Sequence, residues 1–172
     1  MNSIEFTQYL KSLNACEEAR LWASNKSWRE VYNTCHRGDW LLWLYRKSKK
    51  HEFQKLTLAK GLCANTVRHL IKNEQSVKAV DAAIAFGKGE ISRKDLDAAD
   101  APAYAAAYAA SPASPADIAA YAAVYADSAP TYAAVYAANA AVQAGGLTAK
   151  KQNQQKTADI VREILPFEIW EF

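Results

Sequence analysis

Glycine and proline are scarce, at 6 and 5 of 172 residues. So few breakers exclude a collagen-like chain and argue against long coil or disorder. No run of about 18 strongly apolar residues occurs, which argues against a membrane span. The three cysteines, Cys16, Cys35 and Cys63, form an odd count with no Cys-x-x-Cys pair. A chain of this length does not need disulfide staples. The amino terminus lacks a basic segment followed by an apolar stretch, so the expected setting is the reduced cytoplasm. The apolar fraction of 51% is enough for a core, and the length predicts a single domain over residues 1–172.

Basic residues are missing from one region altogether. Residues 98–144 contain no Lys or Arg, three Asp, 24 Ala and six Tyr. Residues 1–97 carry 17 Lys/Arg against 11 Asp/Glu, and residues 145–172 carry four of each sign. Three parts follow: a basic, Trp-rich part (1–97), an Ala/Tyr-rich part (98–146), and a C-terminal helix with an aromatic tail (147–172). The net charge of +3 does not by itself imply nucleic-acid or membrane binding. The densest basic run is Arg46, Lys47, Lys49, Lys50, Lys55 and Lys60. It reads either as a solvated helix end, where cations offset the helix dipole, or as a phosphate contact.

The local signals are helical throughout. Asn2 with Glu5, Asn14 with Glu17 and Ser27 with Glu30 each set a capping residue three before a carboxylate, predicting three short helices. Asp39 can cap a helix over Trp40–Tyr45, which is apolar all round and so reads as fully buried. Longer helices are expected near 52–72 and 75–86, and Ser92 caps a further segment. In the alanine-rich part, Tyr104/Tyr108, Tyr121/Tyr125 and Tyr132/Tyr136 repeat an i, i+4 spacing. Proline is tolerated in a first helical turn and breaks an interior. Two helices near 114–128 and 131–144 are therefore expected, with Gly145-Gly146 ending the series and a last helix near Thr148–Leu165. The predicted fold is an all-α compact bundle of about eight to ten short helices, close-packed where alanine dominates.

Catalytic signatures are absent. Cys35 and His36 are sequence neighbours and diverge by about 100° on a helix, too far apart to act as a dyad. Phe86-Gly87-Lys88-Gly89 lacks the upstream glycine and the Ser/Thr of a phosphate loop. No metal-ligand spacing joins His36, His51 or His69 to the cysteines. The expectation is a non-enzymatic protein with no cofactor and no metal.

Several segments together resemble one family. These are Leu13-Asn14-Ala15-Cys16-Glu17-Glu18-Ala19, then Cys35-His36-Arg37-Gly38-Asp39-Trp40-Leu41-Leu42-Trp43-Leu44. The alanine/tyrosine repeats follow, and Ala158-Asp159-Ile160-Val161-Arg162-Glu163-Ile164-Leu165-Pro166 closes the match. Their order and spacing resemble the Imm-5-like immunity proteins of bacteria and phages, over roughly residues 13–166. The chain departs from that family in its proline-interrupted tract and its basic balance. The resemblance implies a cytoplasmic protein that neutralises a toxin or effector protein by occluding it. Tyrosine suits binding surfaces, so Tyr121, Tyr125, Tyr132 and Tyr136, with Asp127 and Trp170 in the aromatic tail, are the candidate partner contacts. Arg37, Asp39, Trp40 and Trp43 are expected to hold a helix junction. The alternative is a phage or mobile-element accessory protein contacting nucleic acid through Arg46, Lys47, Lys49, Lys50 and Lys55.

Overall fold

The computed structural model describes residues 1–108, 114–125 and 131–172. Every regular element among them is helical, and none is long and apolar enough to cross a membrane. The chain divides into two compact units, Met1–His36 and Arg37–Phe172. The division falls inside the basic part, not at the composition changes near residues 97 and 146.

The first unit holds α1 (Ser3–Ser12), α2 (Glu17–Trp22) and α3 (Trp28–Thr34). Asn2 with Glu5 and Ser27 with Glu30 form reciprocal capping boxes that satisfy orphan amides at the starts of α1 and α3. The third expected box does not form. Cys16 occupies the cap position of α2, and Asn14 turns the chain with a left-handed φ of 54°. Asn tolerates that conformation better than most residues, which suits it to the turn after α1. Phe6, Trp28 and Tyr32 are buried, with Trp28 at 5.6 Å between ring centroids from each of the other two.

The second unit runs α4 (Gly38–Lys47), α5 (Phe53–Asn65), α6 (Glu74–Lys88), α7 (Arg93–Ala98), α8 (Asp100–Tyr108), α9 (Pro115–Val124) and α10 (Tyr132–Ile164). Short 3-10 turns at Arg68–Leu70 and Phe167–Ile169 complete it. Helix α5 packs against α4, α6, α9 and α10, and α10 packs against α4, α5 and α9. The core where these helices meet is built largely of alanine. Ala64, Ala79, Ala83, Ala119, Ala123 and Ala137 are fully buried in one cluster with Val67, Val80 and Leu96. Small side chains let helix axes approach closely, so the alanine surplus is a packing device and not low complexity.

Several boundaries differ from the sequence expectation. Helix α4 begins at Gly38, and Asp39 lies inside its first turn and not at the cap. There its negative charge complements the helix dipole. Trp40 and Trp43 are only partly buried, while Leu41, Leu42, Leu44 and Tyr45 are sequestered, so α4 is not enclosed on all sides. The helix expected to reach residue 72 stops at Asn65, where the Thr66 hydroxyl donates to the Cys63 carbonyl and satisfies a helix-end acceptor. Ser114 caps α9 and Pro115 opens it. As expected, Gly145 and Gly146 break the helix, so α10 is two helical stretches that meet at a kink. They hold non-helical φ/ψ values of −151°/19° and 70°/−162°, and the helix resumes beyond them. Only glycine adopts the Gly146 conformation readily.

Gly38 marks a tight seam between two helices of this unit. A Cβ placed there would lie 2.6 Å from the Thr157 carbonyl carbon, so the start of α4 is pressed against the backbone of α10. The Arg37-Gly38-Asp39-Trp40 block and the helix that continues into Ala158–Leu165 meet at this seam.

Candidate partner-binding surface

The i, i+4 tyrosine pairs put two rings on one face of each helix, because residues four apart lie one above the other. Helices α8 and α9 pack together and bring two pairs into one cluster. Ring centroids are 5.0 Å apart for Tyr104 and Tyr108, 5.4 Å for Tyr104 and Tyr121, and 5.1 Å for Tyr121 and Tyr125. Tyr108 meets Tyr121 edge to face at 6.4 Å. Edge-to-face and tilted arrangements are the geometries that aromatic quadrupoles favour. Tyr104 and Tyr108 remain 54% and 51% exposed, whereas Tyr121 and Tyr125 are half-buried and form the base of the cluster.

Of the sequence candidates, the structure thus joins Tyr121 and Tyr125 and adds Tyr104 and Tyr108 beside them. The added pair carried the same spacing signal, but only helix packing shows that its rings cap the other two. Tyr132 and Tyr136 form a separate T-shaped pair on α10 at 5.8 Å. Tyr132 is 52% exposed, and Tyr136 packs against the alanine core. Asp127 lies outside the described residues. Trp170 requires a correction: it is only 7% exposed, its indole Nε1 donates to the Leu165 carbonyl at 2.8 Å, and its ring meets Tyr45 at 5.0 Å. An indole that finds both a polar partner and an aromatic wall in the interior is a packing residue, and it presents no surface to a partner.

Charge beneath the tyrosine cluster is arranged in an unusual way. Lys60, assigned to the basic run by sequence, is 1% exposed and donates from Nζ to the Tyr125 carbonyl at 2.7 Å. Its long methylene stem makes such burial feasible, and the bond satisfies a carbonyl at the end of α9. Asp100 opens α8, and its buried Oδ1 has no hydrogen-bond partner. Burial raises the Asp100 pKa, Asp97 adds to the rise, and the positive charge of Lys60 opposes it. Burial and then the Asp100 charge push the Tyr121 hydroxyl up to about 12, so its phenol stays neutral at physiological pH. Tyr121 therefore presents a neutral, amphipathic ring at the base of the cluster.

The remaining basic residues lie on the end of α4, the following loop and the start of α5. Lys47, Lys49 and Lys50 are exposed, and Arg46 and Lys55 are partly buried. Lys50 pairs with Glu171 at 2.9 Å and Lys55 with Glu52 at 2.8 Å. Lys47 sits 6.0 Å from the centre of the Trp43 ring. Arg37 makes a forked contact to Asp39 at 2.8 and 2.7 Å and lies over the Trp40 ring at 4.5 Å. This locks the loop entering α4 to its first turn, since a guanidinium matches a carboxylate with two parallel bonds.

Cys35 is buried beside an exposed His36 in sequence, and Cys63 is wholly buried near the Thr157 carbonyl. Burial pushes the Cys63 thiol far up, with the Asp39 charge adding to it, which keeps that sulfur un-ionised and inert. Among the described residues, no group of three or more His, Cys, Asp or Glu is placed to hold a metal ion. No family model, curated protein or solved structure matches the chain.

Proposed function

We propose that this chain is a non-enzymatic binding protein that neutralises a toxin or effector in the cytoplasm by covering it, as an immunity protein does. The observation that carries this reading is the four-tyrosine cluster on α8 and α9. Tyr104 and Tyr108 stand half out of the surface on rings already ordered by their neighbours. Pre-ordered aromatic rings lose little conformational freedom when a partner covers them, which is why tyrosine is enriched at interface centres. Tyr132 extends the same chemistry along α10.

The test is a Tyr104→Ala/Tyr108→Ala double variant, compared with the parent in capture of the proteins encoded beside it and in titration of any captured partner. Loss of two central aromatic anchors predicts at least about 30-fold weaker binding, with unchanged far-UV circular dichroism. Equal affinity in the double variant would remove the tyrosine cluster from the interface. If no protein partner is captured, and the chain instead retards DNA with steep salt dependence, the nucleic-acid reading replaces this one. That reading is the weaker because Lys50 and Lys55 are each already paired with a carboxylate.

A further inference from the structure

A cleft of about 360 Å³ opens where α5 and its following 3-10 turn face the kinked middle of α10. Its walls include Val67, Leu70, Ala141, Ala144 and Ala149, and its lining contains no acidic residue. Asn153 contributes to the lining and is only 7% exposed. The Asn153 Nδ2 donates to Thr66 Oγ1 at 2.8 Å, and Thr66 Oγ1 donates onward to the Cys63 carbonyl at 2.7 Å. Because the Thr66 hydrogen is committed to Cys63, Thr66 can only accept from Asn153, which fixes the amide orientation. Asn153 Oδ1 is thereby left as a buried acceptor with no partner. An unsatisfied buried acceptor costs free energy and calls for a donor from outside the chain. Lys156 and His69 also line the cleft, adding an ammonium and an imidazole. Convergence of apolar walls, one orphaned acceptor and a cationic side chain is the usual make-up of a small-molecule site.

We propose that this cleft binds an N-acylated apolar amino acid. Asn153 Oδ1 is closed off from solvent in this structure, so a small rotation of the Asn153 amide opens it to the cleft; the ligand's amide N–H then donates to it, the side chain fills the apolar walls, and the carboxylate meets Lys156. A donor is required by the orphaned oxygen, an anion by the lining that holds Lys156 and no acid, and an apolar body by Val67, Leu70 and the alanines. The glycine kink at Gly145 and Gly146 places Gly145 on the cleft wall beside Ala144, so the bend in α10 shapes the site. The site shares no residue with the tyrosine cluster and stands apart from the partner-binding reading.

N-acetyl-L-phenylalanine is the probe, titrated into the full-length protein while the Asn153 side-chain amide is followed by NMR. The expected dissociation constant is on the order of 1 mM, given the efficiency typical of a molecule this small. Shift changes should centre on Asn153, Thr66, Val67, Leu70, Lys156 and the neighbouring alanine methyls. N-acetyl-L-phenylalaninamide, which lacks the charge, and the Lys156→Gln variant should each bind about threefold to fivefold more weakly. 3-Phenylpropionate, which lacks the N–H, should bind about tenfold more weakly. Ala144→Phe, at an exposed position on the rim, should abolish binding while the melting temperature holds. A peptide ending in the same residue separates the two sources: comparable binding extends the site to protein C-termini, and exclusion confines it to free acylated amino acids. Absence of binding up to about 10 mM, or equal binding of all three small molecules, would overturn the assignment.

Discussion

Substituting Gly38 by alanine tests the close approach of α4 to α10. The added Cβ would sit 2.6 Å from the Thr157 carbonyl carbon, 2.6 Å from its Oγ1 and 2.7 Å from its Cβ. Ordinary contact begins near 3.4 Å, so α4 and α10 would have to separate by roughly 0.8 Å. Two of the three obstructing atoms belong to backbone or Cβ and cannot swing away. Overpacking of this kind costs about 1–3 kcal/mol. Alanine's better helix propensity returns little at the first residue of a helix, where the backbone amide has no intrahelical bond to gain. A cost of about 2 kcal/mol corresponds to a fall of about 4–8 °C in melting temperature for a chain of this size. Thermal unfolding followed by far-UV circular dichroism reads it directly. Adding Thr157→Ala should not rescue the variant, because the carbonyl carbon and Cβ remain in place. A Gly38→Ala melting temperature within about 1 °C of the parent would show that α4 and α10 are not in contact there. The Arg-Gly-Asp-Trp block would then need another explanation than this seam.

Two further predictions concern the aromatic residues. The Tyr121 phenol titrates near 12 in the fold and near 10 in an unfolded chain. A raised folded value favours the neutral form, so this contribution to stability is complete below about pH 10 and is lost as pH rises towards about 12. Tyr121→Phe should therefore flatten the alkaline fall in stability, and the absorbance difference between parent and variant should show one phenol with its midpoint near 12. A difference spectrum centred near 10 would refute the buried setting beside Asp100. Trp170→Ala should destabilise the fold by about 3–5 kcal/mol through lost packing on Tyr45 and a lost bond to the Leu165 carbonyl. Its folded fraction should capture partners as the parent does; loss of capture without loss of stability would return Trp170 to the surface.

The helical class was legible in the sequence because capping boxes, proline placement and i, i+4 spacing act over one or two turns. Asn2/Glu5 and Ser27/Glu30 form as their spacing dictates, since each side chain reaches an amide three residues away. Asn14/Glu17 has the same spacing and fails: Asn14 itself takes the left-handed conformation in the turn after α1, and Cys16 takes the cap. Spacing alone cannot distinguish these outcomes, because the exit of α1 decides the second. The site divides in the same way. The tyrosine stripes follow from composition and period, yet which rings are exposed depends on what each helix packs against.

The sequence by itself determined an all-helical chain, an uncharged Ala/Tyr region and stripes of tyrosine with helical period. These are local properties, set by propensity and by geometry within a few residues. Tertiary structure alone decided that Lys60 leaves the basic run for the interior, that Trp170 turns inward, and that Tyr104 and Tyr108 join Tyr121 and Tyr125 in one surface. Each of those outcomes rests on a partner far away in sequence: the Tyr125 carbonyl for Lys60, Tyr45 for Trp170, and Tyr121 on α9 for the pair on α8. A side chain's own residue type does not encode such a partner. Burial is a property of the pair of surfaces that meet, and only the packed fold supplies the second surface.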